Sequence, residues 1–138
     1  MKGGKAGFVA VVGRPNVGKS TFVNRVVGEK VSIVSRRPQT TRDRISGIFH
    51  DERGQIILID SPGIHDPGRA LNRRMVVEAF SSIRECDLVI HMTDKNLFKF
   101  SGEEKLVLEE LRKSGMRALL VINKIDTMTL RDREAILQ

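Results

Sequence analysis

The chain has no tryptophan and no tyrosine, and aromatic residues make up only 4% of it. A platform that stacks single-stranded bases on aromatic rings is therefore not expected here. There is one cysteine, Cys86, so no internal disulfide can form. It precedes an apolar run and reads as a buried thiol, compatible with a cytosolic home. No apolar run approaches the roughly 18 residues of a membrane span. The first residues, Met1-Lys2-Gly3-Gly4-Lys5, resemble no secretory signal. The 138 residues suffice for one domain with a real core and not for two. Hydrophobic content of 40% and charged content of 30% predict a soluble globular fold.

What is present begins with Gly13-Arg14-Pro15-Asn16-Val17-Gly18-Lys19-Ser20, a G-x-x-x-x-G-K-S phosphate-loop pattern. Its setting is the one such a loop needs. Phe8-Val9-Ala10-Val11-Val12 reads as a buried strand. After the loop, Phe22, Val23, Val26 and Val27 recur at helical spacing, and Gly28 sits where a helix would stop. Converging N–H groups and a helix N-terminus favour an anion, and a Cβ at Gly13 or Gly18 would obstruct its approach. Lys19 would bring a positive charge to β- and γ-phosphates, and Ser20 a hydroxyl to Mg²⁺. The plainer alternative is a glycine turn with no ligand. Net charge is +7, from 24 Lys and Arg against 17 Asp and Glu. A polyphosphate would offset part of it; the remainder admits a nucleic-acid or anionic-membrane partner without selecting one.

Glu29 to Arg42 is polar and basic and reads as a mobile loop, with Pro38 opposing a helix. A threonine there, Thr41 or Thr40, could add a hydroxyl to Mg²⁺ opposite Ser20 and order the loop only when a γ-phosphate is bound. The Arg36, Arg37, Arg42 and Arg44 cluster reads as a solvated face ahead of an RNA contact. Arg44 to His50 predicts a half-exposed strand, Asp51 to Gly54 a turn, and Gln55 to Asp60 a core strand, so the pair should form an antiparallel hairpin. Asp60-Ser61-Pro62-Gly63 closes that strand. An aspartate at a strand's C-terminal end faces the ligand crevice of an α/β sheet and would hold Mg²⁺, through a water. The Gly63 N–H would meet a γ-phosphate oxygen and lose it on hydrolysis.

Leu71, Met75, Ala79, Phe80 and Ile83 repeat at helical spacing, and Leu88 to Met92 is a core strand within which His91 reads as a satisfied core histidine. Lys95 to Phe100 reads as a loop with locally packed apolar residues. Ser101-Gly102-Glu103-Glu104 reads as a capping box opening a helix through Lys113. Ala118 to Ile122 is the next buried strand. It ends on Asn123-Lys124-Ile125-Asp126. A carboxylate accepts two parallel hydrogen bonds, and guanine offers that edge while adenine does not, so Asp126 would discriminate between them. Asn123 can bond the purine and tie loops together, and the Lys124 stem can lie along the base. An ATP-dependent enzyme on the same loop would make this stretch an accident.

Gly13–Ser20, Asp60–Gly63 and Asn123–Asp126, in that order, resemble the translation-factor-related GTPases of the phosphate-loop class. Gly13 to Thr21, with Ser35-Arg36-Arg37-Pro38-Gln39-Thr40-Thr41-Arg42, resembles more narrowly the Era family of bacterial ribosome-assembly GTPases. The Der and tRNA-modifying families share the first motif and match the second less well. The resemblance runs from about Gly7 to Asp126.

It implies a three-layer α/β P-loop NTPase G domain over residues 1–138, with a mixed, mostly parallel sheet and one antiparallel strand. It implies GTP/GDP and Mg²⁺ held by Gly13, Arg14, Pro15, Asn16, Val17, Gly18, Lys19, Ser20 and Thr21, by Asp60, Ser61, Pro62 and Gly63, and by Asn123, Lys124 and Asp126. Ser20, Thr41 and Asp60 would take the metal, and Lys19, Thr41 and Gly63 would serve hydrolysis. Ile64 follows Gly63 where Ras-like relatives carry a glutamine, so slow turnover is expected. Asn16 could help bind K⁺. A Ser-Ala loop, a last strand and helix, and a KH domain that binds 16S rRNA and the small ribosomal subunit are not found in residues 127–138. The expectation is thus a G domain incomplete at its C-terminus, with Thr129 to Gln138 starting a helix and Ala118–Ile122 an exposed edge open to dimer pairing. A cytoplasmic location, with peripheral association at the inner face of the plasma membrane, completes the set. The competing reading is a nucleotide-binding module with negligible catalysis.

Overall fold

A computed structural model describes residues 4–14, 16–28, 45–60, 72–95, 102–136 and 138. In chain order these form β1 (Lys5–Val12), α1 (Lys19–Val27), β2 (Ile45–Asp51), β3 (Gly54–Asp60), α2 (Arg73–Ser82), β4 (Leu88–Thr93), α3 (Gly102–Ser114), β5 (Ala118–Ile122), a 3₁₀ turn (Ile125–Thr127) and α4 (Leu130–Ile136). The five strands make one sheet in the order β2-β3-β1-β4-β5. β1 runs parallel to β3 and β4, and β4 parallel to β5; β2 alone is antiparallel, pairing with β3 as the expected hairpin.

The packing follows from the strand sequences. Val9 to Val12 are all buried, as a parallel strand covered on both faces requires. Alternation splits them between two clusters. Ala10 and Val12 join Ile59 and Val89 under α2 (Val76, Ala79, Phe80) and α3 (Val107). Val9 and Val11 join Leu58, Ile90 and Val23 of α1 on the other face. Each fully buried Val, Leu or Ile contributes about 1.5–3 kcal/mol, so this double cover fixes the sheet between two helical layers. Cys86 is buried in the first cluster.

Local signals set the ends. α1 stops at Gly28, whose φ of 76° is left-handed and whose N–H bonds the Asn24 carbonyl at 3.0 Å. Gly54 has φ 149°, and a Cβ there would collide with the Lys5 carbonyl, so the hairpin turn needs glycine. α2 opens on Asn72, whose side chain accepts from the Met75 N–H at 3.0 Å. α4 opens with a reciprocal cap between Thr129 and Asp132: the Thr129 N–H gives to Oδ2 at 2.9 Å and the Asp132 N–H gives to Oγ1 at 3.2 Å.

β1 has β3 on one side and β4 on the other, and the chain reaches them in turn. That makes the C-terminal end of β1 a topological switch point, the place where open α/β sheets bind ligands. The ends of β3, β4 and β5 share that edge of the sheet. The loop over residues 29–44, the segment 61–71 and residues 96–101 lie outside the described residues. So do the readings placed on them: Thr40 and Thr41, the Arg36–Arg44 cluster, Ser61, Pro62, Gly63, Ile64 and the N-cap role of Ser101.

Candidate functional site

β1 ends at Val12, and the chain turns through Gly13 and Arg14 to the N-terminus of α1. The turn is tight because β4 runs beside it. A Cβ on Gly13 would strike the Met92 carbonyl, and one on Gly18 would strike the Asn123 side chain. The two glycines are therefore required by the protein's own neighbours, a reason additional to clearance for an anion. Gly18 has φ 100° and Asn16 φ 66°. Alternating left-handed residues of this kind turn N–H groups inward into an anion-binding concavity.

α1 starts without a side-chain cap and without an acidic residue in its first turn. The first N–H groups of a helix have no partner within it and suit an anion. Lys19, 7% exposed, lies along the turn and its Nζ donates to the carbonyls of Gly13 at 2.8 Å and Arg14 at 2.9 Å. A buried ammonium held by neutral carbonyls, beside a helix N-terminus, fits a phosphate. Ser20 and Thr21 are exposed on the first turn. Ser20 lies in the first turn of α1, and Asp60 closes β3, the strand next to β1. Serine hydroxyls and aspartate carboxylates are hard oxygen donors of the type Mg²⁺ takes. Among the described residues there is no cluster of three or more His, Cys, Asp or Glu side chains around a candidate metal position.

The end of β5 is tied onto this loop. The Asn123 N–H gives to the Thr93 carbonyl at 2.8 Å, and its Nδ2 gives to the Val17 carbonyl at 2.9 Å. Lys124, in the left-handed region at φ 59°, donates Nζ to the Asn16 carbonyl at 2.6 Å. The following 3₁₀ turn carries Asp126, which is exposed, and Arg133 of α4 donates to the Ile125 carbonyl at 2.9 Å to hold that turn. Between α1 and this segment lies a cavity of about 280 Å³ lined by Thr21, Phe22, Arg25 and Asn123. A larger cavity, about 510 Å³, lies among the starts of β1 and β3, with Lys5, Gly54 and Asp87 in its wall, at the opposite edge of the sheet.

Arg14 behaves differently from its neighbours. Its guanidinium is buried and committed to two carboxylates, Nη2 to Asp94 Oδ1 at 2.8 Å and Nε to Glu104 Oε2 at 2.7 Å. What Arg14 offers the loop is its main chain. Glu104 Oε1 in turn lies 2.8 Å from His91 Nε2, and Asp94 Oδ2 lies 3.9 Å from Lys124 Nζ. Burial alone would raise the Glu104 pKa. Hydrogen bonds from His91 and Arg14, and their charges, outweigh it and hold the carboxyl below its ordinary value.

This cluster gives Glu104 partners that the capping-box reading did not include; the Ser101 half of that box lies outside the described residues. Its two oxygens are turned to His91 and Arg14. A cap is the local solution that the spacing of Ser101 and Glu104 suggests; Arg14 lies 90 residues away in sequence. Sequence reasoning missed Asp94 altogether. Its signal was position: a carboxylate directly after an apolar core strand, as at Asp60 and Asp126. His91 is buried in the core, as expected, with its Nε2 facing Glu104 Oε1.

Strand ends β1, β3 and β5 thus bring Lys19, Asp60 and the Asn123–Asp126 segment to one edge, and hydrogen bonds join two of the three stretches directly. Comparison with known proteins accords with this. A family profile described as 50S ribosome-binding GTPase matches residues 8–124. Era in complex with MgGDPNP and nucleotides 1506–1542 of 16S ribosomal RNA is 35% identical, with a TM-score of 0.68 over 98% of this chain and 46% of that one. An Aquifex aeolicus Era variant bound to GDP·AlF4⁻ is 36% identical, with a TM-score of 0.68 over 96% of this chain and 46% of that one. The G domain of the T. maritima iron transporter FeoB is 25% identical, with a TM-score of 0.62 over 96% and 83%. The chain spans about half the length of the two Era chains, at 46% of each. By its profile, its mixed five-stranded sheet and its likeness to Era, it belongs to the 50S ribosome-binding GTPase family.

Proposed function

We propose that this domain binds GTP with Mg²⁺ and hydrolyses it to GDP and phosphate, acting as a molecular switch. The observation that carries the reading is the joining of the loop to the Asn123–Asp126 segment. The Asn123–Val17 and Lys124–Asn16 hydrogen bonds support it, because they tie the segment that carries Asp126 to the loop that carries Lys19. Lys19, aimed by the Gly13 and Arg14 carbonyls, would turn its ammonium to phosphate oxygens, and the loop N–H groups would stabilise charge on the transferring phosphoryl group. Bound Mg²⁺ would neutralise charge between the β- and γ-phosphates; Ser20, Asp60 and Thr41 are the residues proposed to hold it. Gly63 and Thr41 are the proposed γ-phosphate sensors, and K⁺ beside Asn16 a proposed aid to hydrolysis.

Single-turnover phosphate release from bound GTP tests this. Slow release that depends on Mg²⁺ and is lost in Lys19→Ala supports hydrolysis. Tight binding without release would leave the second reading, a nucleotide-binding module. The half-exposed β5 beneath the base-reading segment favours that alternative. The Era complex with 16S ribosomal RNA supports a further proposal: the protein takes part in assembly of the small ribosomal subunit in the cytoplasm. Peripheral association with the inner face of the membrane, and pairing of two copies through β5, belong to the same proposal.

A further inference from the structure

The inference rests on reading the loop as a nucleotide site. Two sets of contacts meet on Arg14. Its side chain is gripped by Glu104 of α3 at 2.7 Å and by Asp94 at the end of β4 at 2.8 Å. Its main-chain carbonyl accepts a hydrogen bond from Lys19 Nζ at 2.9 Å, next to the Gly13 carbonyl at 2.8 Å. The residue clamped by α3 is therefore one of the two that aim the lysine. The guanidinium side chain is 11% exposed, Asp94 9% and Glu104 0%. Buried ion pairs add little stability over apolar side chains of the same shape. What this one supplies is a fixed position.

A planar fork suits that task. Arginine presents donors in two fixed directions, here toward two carboxylates on different elements, while a lysine ammonium cannot span both. Each carboxylate is steadied again from behind. Glu104 Oε1 faces His91 Nε2 at 2.8 Å, and Asp94 Oδ2 faces Lys124 Nζ at 3.9 Å. Lys124 itself donates to the Asn16 carbonyl at 2.6 Å, so the second branch returns to the same loop.

We propose that Glu104 is a positioning residue for the phosphate-binding loop: through Arg14 it sets the orientation of Lys19, and so couples α3 to the hold on a nucleotide's phosphates. The coupling concerns the phosphates and not the base. It bears on GDP and GTP alike and leaves the preference for guanine untouched. Anything that shifts α3 along its axis shifts the grip.

The test is Glu104→Gln in the full chain, which keeps the side chain's size and an acceptor but removes the charge. Dissociation of fluorescent GDP and GTP analogues in Mg²⁺ should speed up about tenfold for both, with the guanine-to-adenine ratio unchanged. In nucleotide-free protein, amide exchange of residues 16–20 should quicken. Arg14→Lys keeps the charge without the fork and should not restore slow release. The double variant Arg14→Met/Glu104→Leu removes both charges of one pair, and should recover Tm relative to Arg14→Met while release stays fast. Equal release and equal exchange in Glu104→Gln and wild type would overturn the proposal. So would a double variant whose nucleotide hold returns together with its Tm. A wild-type chain that holds no guanine nucleotide contradicts the GTP reading itself; the exchange comparison in nucleotide-free protein then decides the Glu104 question alone.

Discussion

β4 and β5 lie side by side, and each ends on residues of the site, but they are held in different ways. In β4, Val89, Ile90, His91, Met92 and Thr93 are all buried. Its end is fixed by core packing and by the cluster of Arg14, Asp94 and Glu104. In β5, Leu119 is 51% and Leu120 50% exposed, on opposite faces of the edge strand. Its end is fixed by hydrogen bonds to the carbonyls of Asn16 and Val17, and by one main-chain bond to Thr93. The lesson is that the loop from Gly13 to Lys19 takes its place from the core, and the Asn123–Asp126 segment takes its place largely from that loop.

The comparison can be broken most sharply at Arg14. Arg14→Met leaves Asp94 and Glu104 buried beside a neutral side chain, and should cost about 3–5 kcal/mol in urea unfolding. Truncation of the two strands should then separate them. Met92→Ala opens a cavity in a strand with no solvent access and should cost about 2–5 kcal/mol. Leu120→Ala, at a half-exposed position on the neighbouring strand, should cost less than about 1 kcal/mol, in line with the smaller area it returns to water. Equal losses would mean that β5 is buried as firmly as β4.

A smaller effect follows from acid. The Glu104 pKa is lowered in the folded state, so its share of stability is present above the unfolded value of ~4.3 and is lost as pH falls through the folded value. Urea midpoints should fall below that pH, and the slope should be shallower in Glu104→Gln. Asn123→Ala removes the bond to Val17 and should cost about 1 kcal/mol, with its effect confined to the end of β5. Amide exchange over residues 123–127 should quicken while β4 stays protected. A matching rise in β4 would contradict the one-sided dependence.

Much of this was legible from residue patterns because it is local. Val9–Val12, Leu88–Met92 and the hairpin around Gly54 declare themselves by apolar runs and turn chemistry, and Gly28 and Gly115 fall at positive φ where the helices stop. The site's outline was legible for the same reason, each motif being a short stretch at the end of a strand. What was hidden depends on long-range contact. The pairing of Glu104 with Arg14 is set only when the fold brings them together. Asp94 goes unremarked because its partner Arg14 is 80 residues away. Gly13 and Gly18 read as clearance for a ligand, while the first clashes to be avoided are with Met92 and Asn123. Leu119 and Leu120 read as buried residues, since burial depends on which strands lie alongside.

The central claim is that a guanine-reading carboxylate and a phosphate cradle form one pocket. Competition titrations of GDP, ADP and XDP in Mg²⁺, run on wild type and Asp126→Asn, test it most directly. Wild type should prefer GDP to ADP by several orders of magnitude, and the variant should move its preference to XDP, because an amide donates where the carboxylate accepted. A wild-type chain on which ADP competes as well as GDP, or a variant whose GDP affinity is unchanged, would contradict the account.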